Sequence, residues 1–180
     1  MLSLSERKRT GDIIQGYKII RMAEVYQSKN FIVESVDKPM ISRNEGGHLI
    51  ITPKVRISDR TKLSPELAIE FIRLSMIVGE AMTLALNKRG VDVGRINYQD
   101  NGNWAVFNPQ GPHFHLHLYG RAKSATIQKY GESCYLPFPE TGFYDLFEPL
   151  NEGDVVEIRT QIEELSQRDN YQLKNWPGIN

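Results

Sequence analysis

Residues His113-Phe114-His115-Leu116-His117-Leu118-Tyr119 alternate imidazoles with apolar side chains, and they hold three of the four histidines in the protein. In an extended chain successive side chains point to opposite faces. One face of this segment is then a row of three imidazoles and the other a continuous apolar stripe. The stripe demands a core behind it, and the row demands a pocket in front of it. Three histidines at alternate positions, out of four in all, is not a pattern expected by chance, so the segment reads as a site.

The rest of the composition narrows the setting. A chain of 180 residues with 40% apolar content suits one domain with its own core and a small appendage. Lys+Arg and Asp+Glu are equal at 22 each, which argues against a general affinity for nucleic acid or acidic membranes. Cys134 is the single cysteine, so no disulfide framework or multi-cysteine zinc site can form within the chain. The polar, charged first residues lack the apolar region of a secretory signal, and no apolar run reaches membrane-spanning length. A cytoplasmic location is expected.

Local patterns place the elements. Residues 1 to about 12 are polar, and Gly16 to Met22 reads equally as helix or strand. Phe31 to Val36 is a strand, bounded by Asn30 and the Asp37-Lys38-Pro39 turn signal. A turn over Asn44-Glu45-Gly46-Gly47 leads into a strand opened by His48 and closed by Pro53. Ser64 is the expected N-cap of a long helix with Pro65 at its first position, a stripe of Leu67, Phe71, Leu74, Val78, Met82 and Ala85, and a stop at Gly90. Ile69, Ile72, Met76 and Ile77 lie off that stripe and need a second cover.

A strand over Val93 to Tyr98, a turn over 100–103 and a short extended piece over 104–107 follow. The rigid loop 108–112 then delivers the chain into the histidine strand, which Gly120-Arg121 should end. Ser133 to Leu150 is rich in aromatics and proline, and reads more readily as satellite core than as a base-stacking platform. A second helix is predicted from about Gly153 to Ser166 on a stripe of Val155, Ile158, Ile162 and Leu165. Asp145, Glu148, Glu152 and Asp154 read as solvated acidic surface.

Three chemistries fit the imidazole row. The first is incidental surface histidines. The second is a metal shared by His113 and His115, which lie about 6.6 Å apart along a strand. His113 and His117, about 13 Å apart, do not readily share one ion. The third is nucleophilic catalysis at phosphorus, because a neutral imidazole is a good nucleophile near pH 7. Its neighbours can donate hydrogen bonds to non-bridging oxygens or assist the leaving group.

The His113–Tyr119 pattern resembles the signature of the histidine triad superfamily. Gly47-His48-Leu49-Ile50-Ile51-Thr52-Pro53-Lys54 is similar to that family's Gly-His strand, and 94–100 resembles its polar strand before the triad. The resemblance spans about residues 24 to 121. It implies an α+β fold with an antiparallel sheet of about five strands, a long helix packed on it, and dimerisation through that helix and a strand edge. It divides the chain into an N-terminal segment, 1–23, a catalytic domain, 24–123, and an extension, 124–180, packed on the same domain.

By the same resemblance the chain is a nucleotide hydrolase or nucleotidyl transferase that cleaves at the α-phosphate of a nucleoside phosphoramidate or dinucleoside polyphosphate. The expected substrate is a purine nucleotide and no cofactor is expected. His115 matches the nucleophile, His113 and His117 the flanking positions, and His48 the additional histidine that supports them. Asn97 and Gln99 resemble residues near the ribose and phosphates, and Gln110 is a further candidate. Alternatives are a non-enzymatic nucleotide-binding module and a metal-dependent enzyme using the His113/His115 pair.

The chain also departs from the family pattern. Arg56 stands where many members have a histidine, the loop 108–112 replaces the usual segment before the triad, and the C-terminal extension is longer than in small members. Trp176-Pro177-Gly178 faintly resembles one branch's C-terminal motif. The aromatics of the extension, Ser133 to Asn180, are expected to shape substrate choice.

Overall fold

The computed structural model describes residues 22–100, 105 and 109–176. The expectations for 1–12, 16–22, 100–103, 104–107 and the tail beyond Trp176 fall wholly or partly outside them. Five strands form one sheet: β1 (Met22–Gln27), β2 (Phe31–Val36), β3 (His48–Pro53), β4 (Val93–Gln99) and β5 (Leu116–Ala122). Their order is β1-β2-β3-β5-β4, and every neighbouring pair is antiparallel. Two helices, α1 (Pro65–Lys88) and α2 (Glu152–Ser166), complete an α+β architecture.

Alternation decides which face each strand buries. Phe31 and Val33 of β2, Leu49 and Ile51 of β3, and Leu116 and Leu118 of β5 all turn to one core. There they meet Phe71, Leu74, Val78 and Met82 of α1 and Ile158, Ile162 and Leu165 of α2. Burying a side chain of this size stabilises the fold by roughly 1.5–3 kcal/mol. The helix begins as its sequence predicts: the Ser64 hydroxyl accepts from the Leu67 N–H at 3.3 Å, and Pro65 takes the first position. Past its end Gly90 adopts φ +83°.

Two expectations about α1 and α2 change. Ile77, expected on an uncovered second stripe, is only 1% exposed, whereas Ile72 and Met76 remain 47% and 43% exposed. The reason is that α1 packs against α2 as well as against β4 and β5, so it buries more than one face. Asp154, expected on solvated surface, is fully buried. It accepts from Arg43 Nε and Nη2 at 2.6 and 2.9 Å and from Arg89 Nε at 3.0 Å, and it closes a capping box with Asn151. Burial pushes its carboxyl up, but the bonds from Arg43 and Arg89 outweigh this and hold it below the ordinary range.

The histidine strand is also shifted. Its ladder begins at Leu116, opposite Ile51, and continues through Gly120 and Arg121 to Ala122. Upstream, β3 has turned away: the Phe114 N–H donates instead to Ile57 O at 2.6 Å. Downstream, β4 supplies partners for Gly120, Arg121 and Ala122. Gly120 belongs inside the strand because Gly46 crosses against it. A Cβ on Gly120 would lie 1.9 Å from the Gly46 oxygen, and one on Gly46 2.2 Å from the Gly120 oxygen. Glycine at both positions lets the turn before His48 sit flush on β5.

Candidate active site

The sheet face away from the helices gathers the predicted residues. His48 pairs in register with Tyr119, as does Asn97 from the other side, while Gln99 pairs with His117. Cross-strand partners share a face, so His48, Asn97, Gln99 and His117 lie together around Tyr119. The imidazole rings run in contact: His48 to His117 at 5.1 Å between centroids, and His117 to His115 at 4.7 Å. Tyr119 stacks on His117 at 5.4 Å and lies 4.7 Å from His48. Burial falls along the row. His48 and His117 are buried, and His115 and His113 are half-buried as the chain leaves the sheet.

Backbone groups set the tautomers of three of the rings, and His48 sets that of His117. The Met40 N–H donates to His48 Nδ1 at 3.1 Å, so the proton of neutral His48 sits on Nε2. That nitrogen is 2.8 Å from His117 Nδ1, which must accept, leaving His117 protonated at Nε2. His115 Nδ1 lies 2.7 Å from the carbonyl oxygen of His113 and must donate to it, so His115 Nε2 carries a free lone pair. His113 Nδ1 likewise donates to Ile57 O at 3.3 Å.

Burial keeps the inner rings neutral. Desolvation first, then the electrostatic cost of a second cation beside the His115 imidazole, depresses the His48 imidazole far below its usual value. Desolvation, His48 and His115 do the same to His117. His113 is lowered too, chiefly by burial, with a contribution from Arg56. The buried Oε1 of Gln99 has no hydrogen-bond partner, so an acceptor beside His117 is left for a donor such as a hydroxyl.

Gln110 does not join this cluster by its main chain. It sits exposed in the loop before His113, with its carbonyl held by Arg56 Nη2 at 2.6 Å. Among the described residues no group of three or more His, Cys, Asp or Glu side chains is placed to hold a metal ion. No helix among them is long and apolar enough to cross a membrane.

Several residues that frame the site carried no readable signal. Met40 acts through its backbone N–H. Glu45, buried in the glycine turn, accepts the backbone N–H groups of Thr126, Ile127 and Gln128 at 3.0, 2.9 and 2.7 Å. Buried Arg121 donates to the carbonyls of Gln128, Lys129 and Glu132 and to Cys134 Sγ. Together this anion and cation strap the segment 126–134 over the imidazole face, where Cys134 meets Asn97. Beyond the strap, Phe143 gathers Tyr135, Tyr144 and Phe147 edge-on at 5.2–5.3 Å. None of the four rings is buried and Tyr135 is 63% exposed, so the stretch expected as satellite core is a partly exposed ring cluster.

An antiparallel five-stranded sheet with the long helix on one face and an imidazole row on the other is the histidine triad fold. Similar solved structures include a histidine triad protein from Marinobacter aquaeolei (TM-score 0.54, 16% identity, covering 80% of this chain and 88% of that one). A hypothetical histidine triad nucleotide-binding protein from Sulfolobus tokodaii gives 0.53 at 17% identity, covering 83% and 89%. A zinc-bound histidine triad family protein from Mycobacterium smegmatis gives 0.51 at 19%, covering 79% and 85%. No family model matches the sequence, and no curated protein matches it.

Proposed function

We propose that the chain is a histidine triad family enzyme, a nucleotide hydrolase or nucleotidyl transferase acting at the α-phosphorus of a purine nucleotide. The observation that carries this reading is the His115 Nδ1–H bond to the His113 carbonyl, because a neutral imidazole that donates from Nδ1 keeps its nucleophilic lone pair on Nε2. That lone pair forms a P–N bond as the bond to the leaving group breaks. His117, held as an Nε2 donor through His48 and Met40, serves a non-bridging oxygen as charge builds there. His113 Nε2, left as an acceptor, takes a proton from the water that later displaces the imidazole. Asn97 and Gln99 are suited to the ribose and phosphates, and Gln110 to the approach to them.

The reading is tested by quenching the reaction with an α-labelled nucleotide. Wild-type protein should carry acid-labile label, and His115→Ala should bind nucleotide but show neither label nor turnover. His113→Ala and His117→Ala should slow turnover, each by ~2–4 kcal/mol of transition-state stabilisation. Full activity in His115→Ala overturns the mechanism, and binding without turnover in the wild type leaves a nucleotide-binding module.

A homodimer through α1 is proposed with it. Ile72 and Met76 stay exposed on a helix whose other faces are covered. Light scattering at micromolar concentration should report twice the chain mass.

A further inference from the structure

The imidazole row ends beside an arginine that the mechanism above leaves unused. Between Pro53 and Ser64 the chain carries Lys54, Arg56, Arg60 and Lys62 against the single carboxylate Asp59. In a protein of zero net charge this is a local excess, and it lies at the outer end of the row. Ile57 O takes both the Phe114 N–H and His113 Nδ1, so Arg56 is one residue from the atom that holds His113. Arg60 is paired with Asp100 at 2.9 Å, and Asp59 accepts from the Thr61 N–H. Arg56 makes no ion pair among the described residues. Its exposed Nη2 meets, among the described residues, the carbonyls of Gln110, Gly111 and Pro112, at 2.6, 2.7 and 3.2 Å.

We propose that Arg56 selects the leaving group: its guanidinium takes the charge of a phosphate or polyphosphate leaving group as the bond to the α-phosphorus breaks. The proposal rests on the function proposed above. Backbone carbonyls are neutral acceptors, whereas a phosphate offers the guanidinium fork two charged oxygens and a stronger bond. The geometry of the imidazoles favours the same class. His48, His113 and His117 spend their Nδ1 atoms on fixed partners, and none of the three holds an acidic proton at neutral pH. An amine leaving group needs such a proton. A phosphate needs none: the P–N bond to His115 Nε2 forms, the P–O bond breaks, and the electron pair departs on oxygen as an anion that Arg56 offsets. The Arg56 charge already reaches this end of the row, since it helps to depress the His113 imidazole.

The test compares a dinucleoside tetraphosphate with a nucleoside phosphoramidate of neutral amine, using wild type, Arg56→Ala and Arg56→Lys. Arg56→Ala should lose ~100-fold in kcat/KM on the tetraphosphate and less than ~3-fold on the phosphoramidate, with Arg56→Lys recovering part of the loss. An equal loss on both substrates means that Arg56 merely braces the 110–112 loop and overturns the proposal, as does no loss on either. Calorimetry with inorganic tripolyphosphate gives an arm that needs no turnover. If the wild type turns over neither substrate, the enzymatic reading fails by itself. The anion site then stands on tripolyphosphate binding that Arg56→Ala abolishes, and falls if the two proteins bind alike.

Discussion

His48 Nε2 lies 2.8 Å from His117 Nδ1, and the two rings come from neighbouring antiparallel strands. Because Met40 N–H occupies the other nitrogen of His48, the pair has one neutral arrangement, with its last proton on His117 Nε2. A backbone amide in the loop after β2 thereby sets which nitrogen of His117 is the donor.

His48→Phe keeps a ring of similar bulk and removes the proton that His117 accepts. His117 is then free to adopt the other tautomer. Turnover should fall ~10–100-fold with little change in KM, since the loss is of a transition-state donor rather than of binding. Steady-state kinetics check this, and an unchanged kcat removes the relay.

Stability should fall as the pH drops below neutrality. Burial holds the His48 imidazole down to about 3 and that of His117 lower still. In the unfolded chain both take up protons near pH 6.5. Above that pH their contribution to stability is fully present. Below it the unfolded state binds protons that the folded state refuses, so each imidazole costs up to about 1.4 kcal/mol per pH unit. Half-buried His113 adds to the same trend. Urea midpoints measured from pH 7 to 5 should decline, and the slope should be shallower in the double variant His48→Phe/His117→Phe. A flat wild-type profile contradicts the neutral buried pair.

Glu45→Ala removes the acceptor of three backbone N–H groups and should release the strap 126–134 from the imidazole face. Leaving those donors unpaired costs about 1–3 kcal/mol. Nucleotide preference or KM should shift while the protein stays folded, because the strap brings Cys134 against Asn97. Hydrogen exchange at Ile127 and Gln128 should accelerate. A variant with wild-type preferences makes the strap purely structural.

The local chemistry of this chain was legible without coordinates. Alternation in 113–119 specified which residues face the core, because period two leaves no other choice for an extended segment backed by apolar side chains. Ser64, Pro65 and Gly90 bounded α1 through backbone rules that act within a few residues. The stripe of α2 was readable for the same reason, and His48 and the triad could be grouped by their resemblance to one family. The tertiary structure decided everything that depends on where distant backbone falls. The ladder of β5 runs from Leu116 to Ala122 because β3 departs early and Gly46 crosses at Gly120. Asp154 is buried because Arg43 and Arg89 converge on it from two other elements. Glu45 and Arg121 act on a segment some 80 and 10 residues away through main-chain atoms that every residue shares. Side-chain type foretells a partner only when the partner is a side chain; the tautomers of His48, His113 and His115 are set by a backbone amide and backbone carbonyls, which only the folded chain places, and His117 follows from His48.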